Sequence, residues 1–297
     1  MKVSRFLLFL SVSLLFAACE DVVEVEVTDS PPRLLVEGLL RVDEQQAFIP
    51  VRIQLKETAG FFEELTPTQA ENIFIQVERF EDGQLIESFS SLLAEESPGT
   101  GLYVPDPNAF GDQRIPTVFL NAEVRFTLNI LHKGRNYVAQ TWYQPVVPID
   151  FVLQGRNTLF EGDETEVIIT FSDPGTTDDF YLFQFDPGEY LVTEDQFYQG
   201  QLFQFSYFYE DPIPEGTLKT IRIMGASAEF YNYMDLLIEQ SELEGPFQVP
   251  AATVRGNVLD VTDIDNLERS NNADRPEVFP LGYFAVVQQY EEELIIR

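Results

Sequence analysis

Apolar and polar residues alternate along short stretches of this chain, a pattern typical of half-buried β-strands. The clearest stretch is 124–131, where every second residue from Phe126 to Ile130 is apolar. A similar stretch, 136–143, follows after the turn residues 132–135, so the two are predicted to form a hairpin. Further strands are predicted over 33–40, 48–55, 73–80 and 85–89, with an Asp82-Gly83 turn between the last two.

Strands at this spacing predict an N-terminal immunoglobulin-like β-sandwich over residues 33–148. The prolines in residues 144–150 mark its end. The second half, 149–297, is predicted to be a β-rich domain with one packed α-helix near 227–243, which Ser227 can cap and Gly245-Pro246 ends. Its strands are predicted over 165–173, 179–186, 202–210, 217–225 and 282–290. The predicted fold class is therefore mainly β.

The first residues differ from everything that follows. Lys2 and Arg5 precede an apolar run that is too short to span a bilayer, and Ala17-Ala18-Cys19 follows it. A cysteine after small residues is typical of a lipoprotein signal, in which the thiol is acylated before cleavage. Residues 1–18 are thus predicted to be a signal peptide and 19–32 an acidic tether. The acyl chains on Cys19 would anchor the mature protein to a membrane.

Charge and cysteine content exclude several classes of function. The formal net charge is −32, with 50 acidic and 18 basic residues, and such a chain lacks the basic surface that nucleic acid binding needs. Cys19 is the single cysteine, so disulfides and cysteine-based metal sites within the chain are excluded. The sequence contains no second apolar stretch long enough for a transmembrane helix.

Several motifs, taken in order, resemble one family of lipoproteins. They begin with LVEG at 35–38, NYVAQT at 136–141 and VVPID at 146–150. FSDPGTTDDFYLFQF at 171–185 and LGYFAV at 281–286 follow the predicted junction. With the lipoprotein signal, this order resembles the Bacteroidota lipoproteins called domain of unknown function 4249. The resemblance implies an outer-membrane lipoprotein, exposed at the cell surface, whose gene lies beside a TonB-dependent receptor.

Candidate catalytic groups are few. Serine hydrolysis needs a base, and the single histidine, His132, is predicted to lie in an exposed turn. A Gly-x-Ser-x-Gly motif and a glycine-rich phosphate loop are both missing from the sequence. Paired carboxylates of the glycosidase kind are not excluded among 50 acidic residues, but the sequence singles out no pair. We therefore expect a protein that is not an enzyme.

Two acidic loops could hold calcium, because oxygen ligands suit that ion. No other cofactor is predicted. Neither loop has the spacing of a known calcium loop, and solvated or turn-forming loops are the alternative interpretation. The candidate ligands are Asp173, Asp178 and Asp179 in one loop and Asp260, Asp263 and Asp265 in the other.

Aromatic residues are concentrated in the second half. They could form a contact surface for a ligand or a receptor, but the alternation along 202–210 favours a buried sheet face. The residues are Phe203, Phe205, Tyr207 and Tyr209 on the strand, with Tyr231 and Tyr233 on the helix.

The sequence favours a non-enzymatic outer-membrane lipoprotein that serves as an accessory or ligand-binding partner of a TonB-dependent receptor in nutrient uptake. A structural or adhesive lipoprotein of the cell envelope is the alternative. A surface hydrolase is the third hypothesis.

Overall fold

β-Strands make up most of the protein, as the sequence predicts. The computed structural model describes residues 32–58, 65–121, 123–159, 162–242, 254–262 and 279–297, which contain sixteen strands and one α-helix. The predicted signal peptide and the tether up to residue 31 lie outside the described residues. None of the helical segments that are described is long and apolar enough to cross a membrane.

The first half forms the predicted immunoglobulin-like sandwich. The inner faces of its strands share one core, which includes Val36, Leu55, Ile75 and Phe126. Asp82 and Gly83 have φ values of 50° and 74°, the backbone conformation of a two-residue hairpin turn. The strands are β1 (Leu34–Val42), β2 (Ile53–Glu57), β3 (Thr66–Pro67), β4 (Asn72–Glu81), β5 (Gln84–Glu95), β6 (Leu102–Pro105), β7 (Glu123–His132) and β8 (Arg135–Trp142).

The second half stacks two sheets and a helix. The sheet β13-β10-β9 covers one face of β12-β11-β14-β16, and the helix α1 (Ala228–Glu242) packs on the opposite face through Phe230. The predicted helix near 227–243 is therefore confirmed over Ala228–Glu242, while its predicted stop at Gly245-Pro246 lies outside the described residues. The strands are β9 (Ile149–Gln154), β10 (Thr165–Ser172), β11 (Phe180–Asp186), β12 (Glu189–Glu194), β13 (Leu202–Tyr209), β14 (Leu218–Ala226), β15 (Val258–Asp260) and β16 (Leu281–Ile295).

The last strand joins the two halves. Residues 281–288 of β16 pair in parallel with β1, and residues 289–295 pair antiparallel with β14. Residues 31–297 form one compact unit. The division into domains at residues 148 and 149 stays a prediction, since a shared strand does not decide where one folding unit ends.

Some strand boundaries differ from the prediction. β16 continues to Ile295, although the prediction ended that strand at residue 290. The short strands β3, β6, β9, β12 and β15 were not predicted, because a few residues carry too little alternation to be recognised. β9 begins at Ile149, inside the segment predicted to be a junction.

Candidate functional site

A cleft of about 530 Å³ lies beside the start of α1. The loop between β10 and β11, the segment 144–147 and residues 226–228 surround it. Pro145, Val147 and Phe180 give it apolar walls, while Asp178 and Asp179 add carboxylates. Apolar walls with a few polar groups are typical of sites that bind ligands or partner segments.

The segment 144–147 is held in place by β16. The backbone N–H of Gln144 donates to the carbonyl of Val286 at 3.1 Å, and the N–H of Val146 donates to Oε1 of Gln288 at 2.8 Å. Gly225 allows the close approach of this segment to β14, because a Cβ there would lie 2.3 Å from the carbonyl oxygen of Pro145. The apolar wall of the cleft is thus fixed by hydrogen bonds to β16 and by close packing against β14.

Another wall of the cleft is the loop 173–179, which is joined to a second loop by backbone hydrogen bonds. We call residues 173–179 and 195–201 the loop pair. The N–H of Asp173 donates to the carbonyl of Gln201 at 3.0 Å, and the N–H of Asp195 donates to the carbonyl of Asp179 at 3.1 Å. The loops touch at Gly175 and Gly200, where a Cβ on Gly175 would lie 2.5 Å from the Cα of Gly200.

Three carboxylates meet inside the loop pair. Asp173, Asp179 and Asp195 each bring one oxygen to within 4.8 Å of the other two. Asp173 and Asp195 are buried, with relative exposures of 6% and 4%, and Asp179 is half-buried. Burial raises the pKa of the Asp179 carboxyl, and the charges of Asp173 and Asp195 raise it further.

Asp173 and Asp195 differ in their hydrogen bonds. Tyr181 donates its hydroxyl to Oδ1 of Asp173, and the N–H of Gly200 donates to Oδ2 at 2.7 Å. Oδ2 of Asp195 is buried and accepts no hydrogen bond from any described residue. A buried carboxylate oxygen without a donor is unusual, because burial without a partner costs free energy.

The predicted calcium ligands have different surroundings. Asp178 is exposed and accepts a hydrogen bond from Nε2 of Gln199 at 3.2 Å. Asp260 is fully buried and forms an ion pair with Arg135, so its charge is already compensated. Asp263 and Asp265 lie outside the described residues. A calcium site in that second loop stays a prediction.

Asp195 was not among the predicted ligands. It lies in a short 3-10 turn, Asp195–Phe197, distant in sequence from the Asp173 loop. The sequence around it carries no metal-binding spacing, so only the folded chain brings it to Asp173. Phe197 in the same turn is 86% exposed, so a large apolar side chain lies at the surface two residues after Asp195.

The aromatic residues of β13 pack into the second core. The ring of Phe203 stacks on Tyr198 with centroids 3.9 Å apart, and that of Tyr207 stacks on Phe185 at 3.6 Å. Phe205 contacts Phe183 edge-on, and Tyr209 is buried. This packing agrees with the interpretation of 202–210 as a buried sheet face. A role in partner contact stays a prediction.

The two helix tyrosines also have aromatic neighbours. Tyr231 lies 5.2 Å from Phe180, and Tyr233 lies 4.8 Å from Tyr283, measured between ring centroids. Burial raises the pKa of Tyr233 to about 12, and the charge of Glu37 adds to that rise. Because Phe180 lines the cleft, Tyr231 supports one cleft wall.

The prediction for His132 was wrong. It is not in an exposed turn but is the last residue of β7, with 2% exposure. The inward alternation of that strand continues through His132, and only Lys133 and Gly134 form the turn. Its Nε2 lies 2.9 Å from Oγ1 of Thr68, and burial lowers its pKa. His132 therefore serves the core of the first sandwich.

Comparison with known proteins identifies one family. Residues 20–267 match the family described as Domain of unknown function (DUF4249). No curated protein matches the chain. Among solved structures, the interferon gamma receptor alpha chain of chicken is 11% identical, with a TM-score of 0.16, over 67% of this chain and 90% of that chain. A TM-score this low carries no argument about fold or function.

Proposed function

Because this chain belongs to the DUF4249 family, we propose that it is a lipoprotein of the bacterial outer membrane that binds rather than catalyses. In this proposal it is the accessory or ligand-binding partner of a TonB-dependent receptor in nutrient uptake. The signal sequence that precedes Cys19 supports this location, because acyl chains on that cysteine would hold the protein at a membrane. The family resemblance supports the proposed receptor.

The cleft is the observation that carries the binding role. One wall is apolar and fixed by β16, and another is the loop 173–179, which backbone hydrogen bonds tie to residues 195–201 at both ends. A site with walls this well supported loses little conformational freedom when it binds, which favours affinity.

Phe197 supports contact with a protein. It lies on the loop pair and is 86% exposed, although burying such a side chain is favourable by roughly 1.5–3 kcal/mol. Aromatic side chains are enriched at protein–protein contacts. We infer that Phe197 is covered by the receptor.

The test is purification of the tagged, lipidated protein from its native envelope, with mass spectrometry of the proteins that accompany it. We expect a TonB-dependent β-barrel in near-equal amount with the wild type, and a reduced amount with Phe197→Asp. Phe110→Asp is the matched control, because Phe110 is also fully exposed but lies on the loop between β6 and β7.

The control variant should retain the barrel. Recovery of the wild-type lipoprotein without any barrel would contradict the receptor proposal and favour a structural or adhesive role. Equal loss of the barrel in both variants would show that Phe197 has no special part in the contact.

A further inference from the structure

We propose that Asp173, Asp179 and Asp195 bind a calcium ion inside the loop pair, next to the cleft that Asp179 lines. The site would use three carboxylate ligands from two loops that are far apart in the sequence. It stands independently of the receptor proposal, because it depends only on the geometry of the loop pair.

The first argument is uncompensated charge. Among the described residues, none of the ion pairs includes any of these three aspartates. Two of the three are more than nine-tenths buried. Buried carboxylates are normally paired with a cation or bound to a metal. The three aspartates therefore have no cation among the described residues that balances their negative charge.

The second argument is the orphaned oxygen of Asp195. Oδ2 is buried and accepts no hydrogen bond from the described residues, while a carboxylate oxygen of Asp195 lies within 4.8 Å of those of Asp173 and Asp179. The side chain thus lies in the cluster, and its Oδ2 has no hydrogen-bond donor in the described part of the chain. A metal ion in the cluster would satisfy this oxygen.

The third argument is ligand chemistry and spacing. The cluster offers oxygen atoms alone, which are the ligands of calcium. Two oxygens bound to one calcium ion at about 2.4 Å can be at most about 4.8 Å apart, and the three carboxylate oxygens lie within 4.8 Å of one another. Calcium also tolerates irregular ligand geometry, whereas magnesium requires a nearly ideal octahedron.

The loop pair already holds the ligands in place. Asp173 is positioned by the Tyr181 hydroxyl and by the N–H groups of Gly175 and Gly200. Gly175 and Gly200 have φ values of 64° and 70° and are in backbone contact, which keeps the two loops close. Because both loops are fixed before the ion arrives, little ordering opposes its binding.

Binding should also stiffen the cleft. Asp179 lies in the cleft wall together with Thr177, whose hydroxyl donates to Oδ2 of Asp179 at 2.9 Å. An ion shared by Asp179 and Asp195 would add a direct link between the loops. The cleft wall would then be more rigid with calcium than without it.

The test measures metal binding by the mature chain after removal of metals with a chelator. Terbium serves as a luminescent substitute for calcium, because Tyr181 beside the site can transfer excitation to it, and calorimetry measures calcium itself. We expect saturable binding of one ion, with a calcium Kd below about 1 mM, and displacement of terbium by calcium.

Two variants decide whether the ion binds at this cluster. Asp195→Asn should weaken calcium binding at least tenfold, while Asp178→Asn, which removes the same charge from an exposed position in the same loop, should retain it. If Asp195→Asn does not fold, Asp179→Asn replaces it, because Asp179 is only half-buried. Absence of binding to the wild type would overturn the proposal. Unchanged affinity in the cluster variants, or preference for magnesium, would also overturn it.

Discussion

Substitution of Asp195 by Asn should change the stability of the protein in opposite directions with and without calcium. Without the ion, Asp195 is a buried charge next to two others. The variant removes that charge and supplies an amide that can donate to Asp173 or Asp179. In metal-free buffer we therefore expect Asp195→Asn to be more stable than the wild type.

The magnitude follows from the separation of the carboxylates. Two unit charges that are at most 4.8 Å apart repel by at least about 3.5 kcal/mol at an effective dielectric constant of about 20. Asp195 takes part in two such pairs, but water at the half-buried Asp179 screens one of them. We expect a net gain of about 2 kcal/mol, which raises the melting temperature of a domain of this size by about 4–8 °C.

Calcium should make the wild type more stable than Asp195→Asn. A ligand that binds only the folded state stabilises it by about 2.7 kcal/mol when present at about one hundred times its Kd. The wild type should gain this stability, and Asp195→Asn should gain little. The assay is thermal unfolding of wild type, Asp195→Asn and the control Asp178→Asn, each with excess chelator and with excess calcium.

Two results would refute this expectation. One is an equal calcium-dependent shift in the wild type and in Asp195→Asn, which would locate any bound calcium elsewhere. The other is a metal-free variant less stable than the wild type, which would show that the three carboxylates do not repel one another in the folded protein.

Three further predictions concern other parts of the chain. The pKa of the buried Glu166 is lowered from 4.5 to about 2 by hydrogen bonds from the Asn157 side chain, the Asn157 N–H, Ser206 and Arg156. The stability that ionised Glu166 contributes is therefore complete above pH 4.5 and is lost as the pH falls towards 2. Urea unfolding across this pH range should show a falling free energy of unfolding in the wild type, and this loss should be missing in Glu166→Gln. Gly282→Ala should lower the free energy of unfolding by about 3 kcal/mol or more, because its Cβ would lie 1.9 Å from the carbonyl oxygen of Val36. Gly83 has a similar positive φ, but a Cβ there would meet open space. Gly83→Ala should therefore lower the free energy of unfolding by only about 1 kcal/mol. Cys19→Ala should move the protein from the membrane fraction to the soluble fraction, and a wild type that is already soluble would contradict the lipid anchor.

The alternation of side chains predicted much of the fold. In β7 the period of two identified the strand, its inner face and its hairpin partner, and all three are confirmed. The same alternation indicates that His132 is buried, because it is the next inward-facing position after Ile130. The Lys133-Gly134 turn signal led to a predicted turn that begins one residue before the turn in the structure.

Contacts between distant parts of the chain could not be predicted from one sequence. The parallel pairing of β16 with β1 joins the two ends of the described chain, and no local pattern encodes which strand becomes a neighbour. The carboxylate cluster depends on the same kind of contact. The sequence indicated Asp173 and Asp179, but Asp195 reaches them only because β12 leads back along β11 to the loop pair.

The most direct test of the proposed function is photo-crosslinking in the native envelope. A photoreactive amino acid replaces Phe197 in one variant and Phe110 in the other, and the crosslinked proteins are identified by mass spectrometry. We predict that position 197 crosslinks to a TonB-dependent barrel and that position 110 does not. If position 197 crosslinks to no barrel while the lipoprotein remains folded and membrane-bound, the proposed contact between the loop pair and the barrel is wrong.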